Sequence, residues 1–156
     1  MEFDQESVTI RRTDPDEAEI VHQCNKRNLP IYYTTSEYQQ MASDPSYILL
    51  GLFNESNTLF GYLLGKQHSD RVFHLNSFSI DQEYRRKRMG TRIMEKMEDE
   101  VVKNFPETRF LRLNVDPANQ TGIKFYSKVG FGYVCTLPHY YGIGHDGYVL
   151  GKRIKR

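Results

Sequence analysis

Between Phe73 and Val101 the apolar pattern changes period, and this change restricts the available folds more than any other feature of the chain. Phe73–Ile80 reads as a long strand. Four cations follow in a row, Arg85-Arg86-Lys87-Arg88, and beyond them Met94, Met97 and Val101 recur at helical spacing, with Glu95, Lys96, Glu98 and Asp99 on the outer face. A strand that feeds a basic turn and then an amphipathic helix exposes unpaired N–H groups and the positive end of the helix dipole at that turn. Such a turn suits phosphate, and its four cations suit a diphosphate better than a single phosphate. Gly90, just inside the helix, permits close backbone approach. Two plainer readings stay open on these residues alone: a solvated turn, or a nucleic-acid or targeting patch.

The rest of the pattern is mixed α/β. Val8–Arg12 alternates as a short strand. Thr13-Asp14-Pro15-Asp16-Glu17 is a helix start, and the helix is expected to run through Ile20, Val21 and Cys24 on one face until Leu29-Pro30 breaks it. A second short helix is predicted over Ser36–Met41. Tyr47–Phe53 and Leu59–Lys66 flank the polar turn Asn54-Glu55-Ser56-Asn57 as a β-hairpin. Phe110–Val115 is a strand, Ile123, Phe125 and Tyr126 lie in a helix closed by Gly130, and Phe131–Cys135 and Gly147–Lys152 are the last strands. The order predicts a single domain over residues 1–156, with a mixed sheet of about seven strands and four helices.

Composition narrows the function classes. A chain of 156 residues with 38% hydrophobic and 26% charged residues can bury one core. Its net charge of +1 argues against a specific nucleic-acid binder built on Arg85–Arg88 and the basic tail Lys152-Arg153-Ile154-Lys155-Arg156. The two cysteines, Cys24 and Cys135, make no disulfide framework, and both are expected to pack as reduced thiols. The acidic start Met1-Glu2-Phe3-Asp4-Gln5-Glu6 does not read as a secretory signal, and no run is long enough to span a membrane. A cytoplasmic protein with no membrane partner is expected. His22, His68, His74, His139 and His145 show no ligand spacing, so no metal is expected.

The basic turn resembles the acetyl-CoA signature of the GNAT superfamily, Gln/Arg-x-x-Gly-x-Gly/Ala. Arg85 and Gly90 match it, and Arg88 stands at the first glycine, where a helical φ is expected. Downstream, Asn114-Val115-Asp116-Pro117-Ala118-Asn119 through Phe125-Tyr126 to Gly130-Phe131 resembles the second signature of the superfamily, in register with the first. The resemblance implies a fold in which a central pair of strands splays apart to admit the cofactor. It implies acetyl-CoA held by Phe78, Ser79, Ile80, Arg85, Arg86, Lys87, Arg88, Met89, Gly90, Thr91, Asn119 and Tyr126.

Two further segments are similar to the N-terminal protein acetyltransferases, namely the catalytic subunits of NatA and NatE, their archaeal relatives, and the RimI type. Leu29, Pro30 and Tyr33 match a Leu/Phe-Pro-x-x-Tyr loop, and Tyr140, Tyr141, Asp146 and Tyr148 match a Tyr-Tyr loop followed by a strand. The resemblance implies a peptide groove formed by Leu29, Pro30, Ile31, Tyr33, Tyr140 and Tyr141. Ile31 stands where the NatA-like branch has glutamate, which favours Met or another apolar first residue. Protein N-terminal peptides are the expected substrates, with a ribosome or auxiliary subunit as a further partner.

The amine must be neutral to attack, and an α-amino group titrates at about 7.7–8.0, so a weak base suffices. His74 is the first candidate base, Asn114 a water-positioning residue, backbone N–H groups from Phe78 to Ile80 the oxyanion donors, and Tyr126 the general acid by resemblance. His74 has a plainer reading as a residue that caps or packs at a strand start, and Tyr126 one as a core tyrosine beside Phe125. The alternatives are a GNAT enzyme for lysine side chains, polyamines or another small amine, and a non-catalytic acyl-CoA-binding regulatory domain.

Overall fold

The computed structural model describes residues 3–30 and 33–156. The described residues form strands β1 (Thr9–Arg12), β2 (Tyr47–Phe53), β3 (Leu59–Gln67), β4 (Val72–Ile80), β5 (Phe110–Val115), β6 (Gly132–Gly142) and β7 (His145–Arg153). The α-helices are α1 (Ala18–Asn28), α2 (Thr35–Ser43), α3 (Met89–Asn104) and α4 (Gln120–Lys128). One sheet runs in the order β1-β2-β3-β4-β5-β7-β6. Among the described residues only β4 and β5 pair in parallel, because α3 carries the chain back across the sheet between them. This is the mixed, mostly antiparallel α/β architecture expected from the sequence.

Local chemistry sets the helix ends. Thr34 caps α2 in a capping box with Glu37. Leu29 is extended (φ −129°, ψ 146°) and closes α1, as the residue before a proline must be. Just before α1, Glu17 ties down the short 3-10 turn Pro15–Glu17 by accepting Asp14 N–H and both guanidinium arms of Arg11 at 2.8 and 2.9 Å. The buried face of α1 is Ala18, Val21, Cys24 and Asn25, whereas Ile20 is 41% exposed. The apolar stripe centres on Val21 and Cys24, so Ile20, a 100° step away, falls at its edge.

The sheet is covered on both faces. Ile48, Leu50, Leu52, Phe73, Leu75, Leu111 and Leu113 face α3, packing on Met89, Ile93, Met94, Met97 and Val101. Leu49, Phe53, Tyr62 and Leu64 face α1 and α2. This two-sided burial explains the near-continuous apolar runs of β2 and β3.

The feature that shapes the site is an irregularity in β4. Leu64 pairs with Ser77 and Gly65 with Leu75, so Asn76 is an extra residue, a β-bulge. Pairing of β4 with β5 stops at Leu75 opposite Leu113, although both strands continue. The bulge bends β4 where the pairing ends, and the two strands diverge beyond it.

Two expectations are corrected at the C-terminal hairpin. Tyr140 and Tyr141 end β6 rather than sitting in a loop, because β6 runs to Gly142 and β7 begins at His145. Positive φ at Gly142 (133°) and Gly144 (77°) confines the reversal to a tight turn. Cys24 is buried as expected, but Cys135 is exposed, since β6 is the edge strand and its outer face is bare. Among the described residues, no helix is long and apolar enough to cross a membrane.

Candidate active site

A cavity of about 640 Å³ opens where β4 and β5 part. Leu63, Leu75, Phe78, Met94, Leu113, Val115, Asn119 and Tyr126 line it on the α3/α4 side. Leu29, Pro30, Tyr33, Ser77, Asn114 and Tyr141 line it on the other, with Asn76 and Asp116. The gap is therefore lined from both faces of the sheet.

The basic turn leads into α3, whose Met94 lines the cavity. No side chain caps α3, and its first turn holds no acid, so its leading N–H groups and dipole are left for a ligand. Arg88, the N-cap residue, has φ 66° and ψ 10°, not the helical φ expected, and Arg86 has φ 61°. The glycine of the motif would suit this left-handed position, and an arginine there costs about 1–2 kcal/mol. Left-handed residues in a tight turn swing successive N–H groups to one side, the geometry of an anion nest. Arg86 and Arg88 are exposed there. Two basic side chains turn elsewhere: Arg85 donates to Ile80 O (2.7 Å) and Asn28 Oδ1 (3.2 Å), and Lys87 lies 5.8 Å over the Phe3 ring. Met89 is buried in the core, and Thr91 lies in the first turn of α3. A Cβ at Gly90 would come within 2.9 Å of Phe125, so this glycine makes room for the ring of α4.

Backbone direction along β4 sorts the expected oxyanion donors. Asp81 N–H donates to Phe60 O across β3. Alternation then turns the N–H groups of Ser77 and Ser79 towards β3 and those of Phe78 and Ile80 into the gap. Ser79 also buries its side chain, so it presents neither group to the cavity.

Tyr126 is held between Phe125 and Phe131, at 5.4 and 5.9 Å between ring centroids. Burial pushes its phenol up to about 12, so it stays protonated at neutral pH. Asn119 caps α4 by accepting Gly122 N–H at 2.9 Å, and it lines the cavity at the same time.

On the opposite face, Tyr33 is clamped by its backbone: Asn25 Oδ1 accepts its N–H (3.1 Å) and His22 Nδ1 meets its carbonyl (2.8 Å). Asn114 Nδ2 donates to Tyr140 OH at 2.9 Å, and Tyr140 packs edge-on against Tyr141 at 4.8 Å. Tyr141 lines the cavity and Tyr140 supports it from behind. Ile31 lies outside the described residues. His74 does not reach the cavity. Its Nδ1 bonds Asn76 Oδ1 at 2.9 Å, and Lys66 and Arg112 flank it in the sheet. Asn76, Ser77 and Asp116 line the cavity but are not among the residues expected from the sequence. The only available signal for Asp116 was its place in the turn before α4, where its carboxylate accepts Ala118 N–H.

A sheet split at a bulge, with a basic helix start on one face and a tyrosine-walled mouth on the other, defines an acyltransferase-type architecture. Residues 15–131 match the model of the acetyltransferase (GNAT) family, and the chain belongs to that family. Among curated proteins it is 28% identical, over 103 residues, to the N-terminal acetyltransferase B complex catalytic subunit NAA20 of Arabidopsis thaliana. That match covers 64% of this chain and 59% of the relative's length. It is 28% identical over 154 residues to N-alpha-acetyltransferase 20 of Dictyostelium discoideum, covering 96% of this chain and 87% of that one. Solved structures with the same fold include Ard1 from Thermoplasma volcanium, with a TM-score of 0.82, 24% identity and coverage of 96% and 99%. Another is Arabidopsis thaliana NAA60 in complex with acetyl-CoA, with a TM-score of 0.82, 17% identity and coverage of 94% and 98%.

Proposed function

We propose that this protein transfers an acetyl group from acetyl-CoA to the α-amino group of protein N-termini, by direct attack with both substrates bound. The observation that carries the reading is the gap lined from both faces of the sheet. On its α3/α4 side, the start of α3 offers cations and unpaired N–H groups suited to a diphosphate. The other side is narrowed by Tyr33 and Tyr141 and floored by Leu29 and Pro30, as an extended peptide end requires. The relatives named for N-terminal acetylation support the substrate class, and the family and the acetyl-CoA complex of NAA60 support the donor.

The fit to CoA is good at the turn. The uncapped start of α3 and exposed Arg86 and Arg88 would hold the pyrophosphate, and Asn119 and Tyr126 would border the arm that enters the gap. When bound, acetyl-CoA supplies the activated acyl group as a thioester. The N–H groups of Phe78 and Ile80 are the donors for negative charge on the acyl oxygen. Tyr126 O–H is the proton donor for the departing sulfur. Proton removal from the amine falls to water on the peptide face, near Asn114 and Asp116. His74 stands outside the cavity and takes no proton there; its bond to Asn76 Oδ1 holds that amide in place. Leu29 and Pro30, with Ile31, favour Met or another apolar first residue. The setting proposed is the cytoplasm, with the ribosome or an auxiliary subunit as a further partner.

The test is acetylation of a peptide library with mass-spectrometric location of the acetyl group. Acetyl on the α-nitrogen, faster for Met-Leu and Met-Ala starts than for Asp or Glu starts, is expected. Acetyl confined to internal lysines overturns the reading.

A further inference from the structure

Just before the strands part, the α1/α2 face of the sheet carries a row of polar side chains. Lys66, His74 and Arg112 stand side by side on β3, β4 and β5, with Lys66 paired to His74 and His74 to Arg112. Lys66 Nζ lies 5.2 Å over the ring of Tyr47, which packs with the α1/α2 cluster, so the row is on that face. Alternation agrees: Leu111 and Leu113 face α3, which turns Arg112 and Asn114 the other way. On β7, Lys152 reaches Glu98 of α3 and Ile154 joins the core. Arg153, between them and opposite Phe110, therefore points to the α1/α2 face as well. Lys66 and Arg112 are partly exposed, and Arg153 is exposed.

The charge continues at the end of the sheet. A second cavity, of about 740 Å³, is lined by Arg109, Arg153, Ile154, Lys155 and Arg156, so Arg153 belongs to both the face and the cavity. Among the described residues, the ion pairs use Arg11, Arg12, Arg27 and Lys152, and none of the cations of this track. Arg109 and Arg156 donate to neutral carbonyls of Phe105, Pro106 and Thr108. Asp44 is held below the ordinary carboxylate range chiefly by its bonds from Ser46, and only in small part by Lys66. Six unpaired cations in a chain of net charge +1 leave the rest of the molecule net negative, so the positive field is local to this track.

Such a track calls for an anionic chain, and its position says which. It starts two residues along β5 from Asn114, which lines the first cavity, and His74 bonds Asn76, which lines that cavity too. An extended polypeptide advances about 7 Å every second residue, the same step as from Asn114 to Arg112 to Phe110 along β5. A substrate held by its α-amine in the gap and laid over this face would bring its third side chain to Arg112 and its fifth to Phe110 and Arg153. We propose that the track binds acidic side chains of the substrate polypeptide from its third residue onward, a charge preference independent of the first-residue pocket. This rests on the N-terminal reading given above. The charge would suit an RNA backbone equally; continuity with the cavity selects the peptide.

The experiment pairs two peptides with the full chain. Both begin Met-Leu and have an uncharged tail; one carries Glu at its third and fifth positions, the other Gln. On the wild type at low salt, kcat/KM should be about fivefold higher for the Glu peptide, the effect of two exposed ion pairs, and the difference should lie in KM. It should fade as salt rises from about 0.01 M to about 1 M, which shortens the screening length from about 30 Å to about 3 Å. Replacing both arginines, Arg112→Gln with Arg153→Gln, should abolish the difference and leave the Gln peptide's kinetics, the melting temperature and acetyl-CoA affinity unchanged. The comparison of peptides on the wild type stays readable even if the double variant folds poorly. Equal kinetics for the two peptides on the wild type, or a difference that survives in a folded double variant, overturns the proposal and leaves the N-terminal reading intact. Salt-sensitive binding of a labelled oligoribonucleotide, lost in the double variant and without any Glu preference, overturns it in favour of RNA. Failure of the wild type to acetylate any peptide α-amine removes the N-terminal reading instead.

Discussion

At the scale of single residues, chemical type was legible and direction was not. Tyr126, Asn119, Asn114, Leu29, Pro30, Tyr33, Phe78 and Tyr141 all reach the cavity, because short motifs tie their identity to their place on an element. His74 was expected there and is not, whereas Ser77 was not expected and is. One inserted residue reverses the parity of a strand, and nothing in Phe73-His74-Leu75-Asn76-Ser77 marks which residue is extra. Arg88 likewise reads as an ordinary helical residue and sits at φ 66°. Tyr126 supports a sharp prediction. Tyr126→Phe should keep acetyl-CoA affinity and lower kcat by about 10²–10⁴-fold, the range for a lost general acid. Because its raised phenol stays protonated, wild-type kcat/KM should rise with pH through the amine's range of about 7.7–8.0 and hold to about pH 10. Full activity in the variant would show that Tyr126 only packs, and a fall between pH 8 and 10 would show that its phenol is not held above the ordinary range.

At the scale of elements, period and capping carried most of the information. β5 falls on the predicted Phe110–Val115, and β2 on Tyr47–Phe53, since both are short apolar runs bounded by turns. β6 and β7 were predicted too short, because the Gly-rich hairpin between them reads as loop until its pairing is known. The bulge in β4 depends on the neighbouring strand. Gly65 lies opposite Leu75, and a Cβ there would stand 2.2 Å from the ring of Phe73, which is fully buried. The missing side chain lets that ring cross β3 just before the bulge. Gly65→Ala should therefore destabilise the fold by about 1–3 kcal/mol, the range for overpacking a core, as read from the urea midpoint. An unchanged midpoint would mean that Phe73 can swing aside and does not fix this part of the sheet.

At the scale of the whole molecule, the gap is the unit that matters, and filling it should be visible as stability. At a hundred times its Kd, acetyl-CoA should add about 2.7 kcal/mol and raise Tm by about 5–10 °C. No thermal shift at millimolar acetyl-CoA would remove the cofactor from the proposal. The sequence by itself determined the order of elements, the β2–β3 hairpin and the basic helix start, because each follows from local period, charge and capping. Only the tertiary structure decided that the gap opens at Asn76, that Arg85 turns back to Asn28 and Ile80, and that Ser77 meets the buried Tyr62, which in turn meets Tyr38. These depend on contacts between residues far apart in the chain, whose geometry is fixed by close packing and by the cost of leaving a buried polar group unpaired.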